Sequence, residues 1–405
     1  MHLLNKHQKL LVLTLTLATF AMGTSEFIIV GLLTNIVQDL HISIPKGGTL
    51  ISYFALAYAI GTPIFAALLS RYNKHKIILI LLSIFIMGNI ISALASSYLI
   101  LILARILTAI VSGVLIAFSM GITTSTMPKS KQAAIISLIF AGFAVANVIG
   151  VPLGTFIGQI SSWRMTFALT ALLGLITLIL SFKFIPKSLE GSESSLLQQL
   201  SLLKDPRILM TLLIPIFGAG GTFTLYTYIS PFLEEILTIP TRFTSIILLA
   251  FGIFAIGSNI ISSKIASKNG LHQLRYIFII QAFVLYTLYW TQSSAILALI
   301  NLMVMALLFY AMNATVQIYF MTYAEKKSPE YKDFAASLTP VAINIGIFVG
   351  SITGSYVISF GGLQHLSWVG GIEVLCASVL TFTILWLEKY GRNQEISFAH
   401  IETKQ

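Results

Sequence analysis

Apolar stretches of about 20 residues, the length a helix needs to cross a hydrocarbon core, recur along the chain with short polar gaps between them. The pattern predicts twelve membrane-spanning helices, near 9–33, 47–69, 77–96, 98–122, 133–157, 165–185, 207–232, 242–263, 275–292, 294–318, 334–358 and 366–388. Glycine and proline inside these stretches do not argue against helix, because both are common in membrane helices. The longest polar gap, "IPKSLEGSESSLLQQLSLLKDPR" at 185–207, falls between spans six and seven. Ser, Gly, Pro and charge gather there, and "SLLQQLSLL" reads as a short amphipathic helix on the membrane surface. The fold class that follows is an all-α polytopic membrane protein of two six-helix halves. The first half is 1–185, a linker covers 186–206, the second half is 207–390 and a tail covers 391–405.

Composition removes the soluble alternative. Charged residues make up 9% and hydrophobic residues 57% of the 405 residues, against roughly 25% charged in ordinary soluble domains. A net charge of +10 would suit a nucleic-acid binder, but the basic residues sit in the gaps and form no single patch. They mark topology instead. With the N-terminus inside, twenty of the 24 Lys and Arg residues fall in inner gaps or inner termini. Only Lys46, Arg164 and Arg242 fall outside, and Arg105 lies within a span. The asymmetry follows the positive-inside rule and predicts both termini in the cytoplasm. Lys6 and Lys9 followed by an apolar run resemble a signal peptide, but the run continues past Val30 and no A-x-A-like site is evident. It is read as an uncleaved first span. Cys376, the one cysteine, is read as a packing residue, and the seven histidines are read as loop or terminal residues.

The chain also repeats. "ANVIGVPLGTFIG" in span five places Gly150, Gly154 and Gly158 four apart, and "INIGIFVGSITG" in span eleven does the same with Gly346, Gly350 and Gly354. Asn147 and Asn344 precede the two series, and Gly-Thr pairs stand at Gly23-Thr24 and Gly221-Thr222. The offsets lie near about 200 residues, the mark of two halves with the same helix order. Small residues every four positions make a flat face for close helix packing, and Pro152 with its neighbouring glycines suits a helix that bends or seals.

Three embedded charges are candidates for chemistry. Glu26, in "ATFAMGTSEFIIVGLL", would be costly against hydrocarbon, so it is predicted to face a polar interior. Protonated it is neutral; empty it can hold a cation, which is the simplest device for proton-coupled export. Arg105 keeps its proton and must be paired, either with an acid, with an anionic group or with backbone carbonyls of the adjacent helix. Glu373, in span twelve, is the other embedded acid and lies nearer the outer end. Tyr53, Tyr58, Asn89 and Tyr226 are candidate cavity residues, as are Tyr228, Tyr310, Asn313 and Gln317. No nucleotide-binding, hydrolase or clustered Cys/His motif is present in the sequence. No enzyme activity, cofactor or metal site is expected.

Six plus six helices, the central linker and the basic "SRYNKHK" between spans two and three resemble the major facilitator superfamily along essentially the whole chain. "GTSEFIIVGLL", "ANVIGVPLGTFIGQ", "WRMTF" and "YTYISPFL" are similar to its bacterial drug:proton antiporter-1 group, near arabinose-polymer and purine-efflux-like members. The resemblance implies a monomeric bacterial inner-membrane exporter of drugs, nucleosides or sugars, exchanging them for protons. It implies that Arg105, with Gly113, assists proton coupling, and that Gly150, Pro152 and Gly154 form the family's antiporter element, imperfectly spaced. Ser70 and Asn73 stand where the family's loop motif carries aspartate and glycine, while Arg71, Lys74 and Lys76 keep its positive charge. Arg71 is expected at a helix C-terminus or a lipid phosphate. Uptake of a sugar or nucleoside is the rival within transport. A non-transporting receptor or scaffold is the rival outside it, and would be expected to carry a soluble signalling segment.

Overall fold

The computed structural model describes residues 5–191, 204–327 and 332–402. Among them, twelve helices are long and apolar enough to cross a membrane. In order they are Lys6–Asp39, Ile44–Ser70, Lys74–Ala93, Tyr98–Thr126, Lys129–Ile160, Trp163–Phe184, Pro206–Tyr226, Thr241–Ala266, Gly270–Thr291, Ala295–Glu325, Leu338–Phe360 and Leu363–Leu387. Each overlaps its predicted span. The "SLLQQLSLL" segment lies outside the described residues.

Polar side chains in and beside the spans have specific work. Ser43, Asn73, Ser97, Ser162 and Asp205 each cap the helix that follows by accepting from a first-turn backbone N–H, satisfying a donor the helix cannot. Hydroxyls inside the spans return to their own helix, as Thr108 does to the Ala104 carbonyl and Ser119 to that of Leu115. This occupies those donors where water is scarce. Large apolar side chains such as Leu103, Ile179 and Phe283 are exposed, as the lipid-facing surface requires.

Span seven ends at Tyr226, short of the predicted boundary near 232. Thr227 and Tyr228 turn, and Ile229–Pro231 resumes as a separate short helix. Pro231 has no N–H to offer the Thr227 carbonyl, so an unbroken helix through this stretch would lose a bond. A second irregularity sits inside span five, where Ala146–Gly150 is a π-helical turn. Pro152 cannot donate to the Val148 carbonyl, and the Val151 N–H reaches back to Ala146 instead.

The glycine faces pack as the repeat predicts. In the first half Gly150 lies against Thr24, Gly154 against Ile28 and Gly158 against Leu32, all on span one. In the second half Gly346 lies against Pro215 and Ile216, Gly350 against Gly220, and Gly354 against Thr224 and Tyr228. Spans five and one therefore mate as spans eleven and seven do. The halves meet along two pairs, span two with span eleven and span five with span eight. A shift of six spans exchanges these pairs, so the assembly is two pseudo-repeats.

Hydrogen bonds between the halves gather at the end with few basic residues. Ser230 donates to the Val30 carbonyl at 2.7 Å, Ser355 to that of Pro45 at 3.3 Å and Gln159 to that of Thr241 at 2.7 Å. Gly48 of span two lies directly under the Tyr228 ring, whose hydroxyl donates to the Ser351 carbonyl. At the same end Asp39 receives Arg164 at 2.6 Å and Trp163 Nε1 at 3.3 Å, fastening span one to span six.

Candidate functional site

Glu26 is 5% exposed and faces protein rather than lipid. Its Oε2 is buried without a hydrogen-bond partner. Arg105 comes from span four and is fully buried beside it. The guanidinium does not take the carboxylate. Its Nη1 donates to the Ser25 carbonyl, and its Nη2 donates to the Glu26 carbonyl at 3.0 Å. Its plane lies over the Phe54 ring, 4.1 Å from the centroid, with Phe167 at 5.9 Å. Of the partners left open by the sequence, the structure selects the backbone carbonyls of the adjacent helix. The Ser25 hydroxyl continues the network to Asn89 Oδ1 at 3.2 Å, and Asn89 Nδ2 is anchored on the Phe85 carbonyl. Spans one, three and four are thereby joined at the level of Glu26.

This geometry predicts the outcome of a conservative change. Lysine carries the same charge but no planar fork, so Arg105→Lys cannot hold both carbonyls and lie flat on Phe54. We expect it to cost about 1–3 kcal/mol, visible as a lower thermal midpoint of the purified protein in detergent.

On its other side Glu26 looks toward aromatic residues from both halves. Tyr58 of span two and Tyr310 of span ten lie within electrostatic reach of the carboxylate. Phe27 packs on Phe143 and Phe223. Phe223 meets Tyr226 and Phe309 edge-on, Tyr226 stacks on Phe251 at 4.6 Å, and Phe309 touches Tyr310. These rings form one linked group from Phe27 through Phe223 and Phe309 to Tyr310. The phenylalanines were invisible as site residues in the sequence, where 27 of them are spread with no spacing that separates this group.

The remaining candidates divide. Tyr58, Asn89 and Tyr226 are buried in the central region. Tyr53, expected to line a cavity, is exposed at 41%. Tyr228 belongs to the inter-half seam, because the chain has already left span seven there. Asn313 and Gln317 are half-buried in the helix Asn313–Lys327, which follows a tight 3₁₀ turn at Tyr310–Met312. Asn147 lies in the π turn, where its carbonyl approaches Gly252 of span eight. Asn344 donates to the Pro340 carbonyl, and its Oδ1 is buried without a partner. Glu373 accepts a hydrogen bond from Thr224 of span seven, so it points into the helix interface and not to the outer membrane surface.

The loop between spans two and three departs from expectation. Arg71 is exposed and bonds its neighbour Tyr72 at 3.0 Å. The helix C-terminus of span four is held by Lys74, whose Nζ lies 3.1 Å from Ser125 Oγ. Asn73 reaches the Lys187 carbonyl, and the Lys74 N–H reaches that of Leu189. His75 is no loop residue. It is buried in the first turn of span three with Nδ1 2.9 Å from the Ile185 carbonyl. Helix capping by Asn73 draws it into span three. Cys376, expected to pack inside, is exposed, as its place on the outer face of span twelve dictates. A depression of about 670 Å³ lined by Lys268, His272 and Arg275 lies at the turn between spans eight and nine, and contains none of the residues around Glu26.

Comparison with known proteins matches this architecture. The model of the Major Facilitator Superfamily matches residues 15–339. The chain is 36% identical to the uncharacterized MFS-type transporter YtbD of Bacillus subtilis (strain 168), over 96% of this chain and 99% of that one. It is 33% identical to the inner membrane transport protein YdhP of Escherichia coli (strain K12), over 91% and 94%. Among solved structures, a bacterial homologue of the human lysosomal transporter Spinster, inward-facing and occupied, superposes with a TM-score of 0.77. That match is 17% identical and covers 94% of this chain and 97% of the other.

Proposed function

The chain belongs to the major facilitator superfamily of membrane transporters, and on that premise we propose that it exports small organic molecules across the bacterial inner membrane in exchange for protons. The observation that supports this reading is the state of Glu26: a buried carboxylate whose Oε2 has no partner, beside an arginine already committed to backbone carbonyls. A carboxylate locked in a bidentate ion pair would resist protonation. Glu26 is not locked, so it can take a proton from one side and release it to the other as the two halves rock. Arg105 acts as a positioning residue that fixes the backbone at Ser25 and Glu26. The aromatic rings around it suit substrates with a flat apolar body, and the empty carboxylate suits a positive group on them. Drugs, nucleosides and sugars remain the substrate classes in view.

The test is proton movement in inverted membrane vesicles that contain the full-length protein and carry an imposed pH gradient. Cationic dyes, antibiotics, nucleosides and sugars are added one at a time. Export by exchange predicts that a substrate dissipates the gradient in these vesicles and not in vesicles lacking the protein. Uptake in company with protons predicts the opposite effect on cells, which would accumulate the substrate instead of excluding it. A compound that moves with no proton movement would overturn the coupling.

A further inference from the structure

Span ten is broken where its own sequence gives no reason for a break. Ala295–Phe309 ends, Tyr310–Met312 makes a tight 3₁₀ turn, and a second helix runs over Asn313–Lys327. Sharp breaks in a helix come from proline, glycine, a π-bulge or a side chain set into the hydrogen-bond ladder. The stretch "ALLFYAMNA" at 306–314 holds neither proline nor glycine, and its Ala, Leu and Met residues favour helix. Spans five and seven, by contrast, are irregular beside Pro152 and Pro231.

The cause lies on span eight. Ser258 and Ser262 stand one turn apart there and are fully buried. The Tyr310 N–H donates to Ser258 Oγ at 2.9 Å, and the Ala314 N–H donates to Ser262 Oγ at 2.9 Å. In an unbroken helix these two N–H groups would reach the carbonyls of Ala306 and Tyr310. The Tyr310 carbonyl instead receives the Asn313 N–H. Two hydroxyls thus stand in for the main-chain acceptors that the break takes away.

The first half shows the corresponding crossing without this exchange. Thr62 of span two and Gly113 of span four stand about 200 residues before Ser258 and Tyr310, the offset of the repeat, and lie against each other. Thr62 Oγ1 is buried without a partner, and span four runs unbroken over Tyr98–Thr126. The break also bears on the centre of the protein. Consecutive residues of a regular helix do not face each other, yet the rings of Phe309 and Tyr310 are 4.3 Å apart. Phe309 meets Phe223, and Tyr310 lies within electrostatic reach of Glu26.

We infer that Ser258 and Ser262 are positioning residues: their hydroxyls hold span ten broken at Tyr310–Met312 and so set Tyr310 beside Glu26. Without them the two N–H groups return to main-chain carbonyls, and the span closes into one helix. Each of three residues passing from 3₁₀ to α-helical geometry turns about 20° less, so the segment Asn313–Lys327 rotates by about 60°. On a helix of about 5–6 Å radius this moves a side chain by about 5 Å. The part given to Tyr310 rests on the exchange proposed for Glu26; the break itself does not.

The test is the distance between two spin labels on the full-length protein in detergent, at Ile318→Cys of span ten and Val379→Cys of span twelve, in a Cys376→Ser background. Both positions are exposed and lie in the same half, so rocking of the halves does not enter. Ser258→Ala together with Ser262→Ala should shift the distance by about 5 Å. Threonine at both positions should restore the wild-type distance. Valine, which has the shape of threonine without the hydroxyl, should give the alanine value. An unchanged distance in a folded alanine variant would overturn the inference. Equal distances in the threonine and valine variants would overturn it too, and that comparison needs no alanine variant. In the vesicle assay the alanine pair should slow exchange about tenfold or more, while the threonine pair keeps it. A shifted distance with undiminished exchange would overturn the part given to Tyr310. The distance involves neither substrate nor proton movement, so its result stands apart from the reading of Glu26.

Discussion

Replacing Glu26 by glutamine is expected to abolish substrate-driven proton movement while leaving the fold intact. The two side chains have the same shape. Glu26 Oε2 makes no hydrogen bond that the substitution would break, and Arg105 holds the backbone of residues 25 and 26, which the substitution does not touch. What changes is the ability to bind and release a proton. Loss of a positioned proton-transfer group typically costs 100-fold or more, so exchange should fall by about that factor. Expression and thermal midpoint should remain those of the wild type. Glu26→Asp, which restores the acid with a shorter reach, should recover part of the activity. Undiminished proton movement in the glutamine variant would show that protons take another route.

A large effect on stability is expected at Gly350, and a small one at Gly158, although both lie on the same kind of face. A methyl on Gly350 would run into the carbonyl oxygen, the carbonyl carbon and the Cα of Gly220. All three are main chain, so spans seven and eleven must separate to admit it. Overpacking costs 1–3 kcal/mol even where side chains can adjust, and here they cannot. We expect Gly350→Ala to cost about 3 kcal/mol or more, seen as loss of folded protein from the membrane. A methyl on Gly158 meets the terminal Cδ2 of Leu32, which can rotate away. Alanine also favours helix over glycine by about 1 kcal/mol. Gly158→Ala should therefore leave the thermal midpoint unchanged or raise it. Equal losses in the two variants would contradict this account of the packing.

The spans and the glycine faces were legible in the sequence because both are written along one helix at a time. A run of apolar residues or a four-residue period needs no knowledge of the neighbours. Arg105 shows where that legibility ends. Its burial follows from its place in span four, but its choice of the Ser25 and Glu26 carbonyls depends on how spans one and four are set side by side. The aromatic group around Tyr226 is hidden for the same reason, since its members come from spans one, five, seven, eight and ten. The loop after span two was misjudged because capping is a matter of geometry: Asn73 starts span three, Lys74 is carried under the end of span four, and Arg71 is left outside. Tyr228 was misplaced because Pro231 stops the helix before the apolar pattern stops.

The seam between the halves at Ser230, Ser355 and Gln159 is built from neutral donors and main-chain carbonyl acceptors. Each such bond contributes about 1 kcal/mol net, and water can replace either partner when the seam parts. These three bonds together therefore contribute only a few kcal/mol to the closed seam, and a single hydroxyl is a sizeable share of that. The acceptors are also indifferent to side-chain identity at Val30 and Thr241, so those positions can drift in sequence while the latch persists. Selection at this surface is expected to fall on the donors.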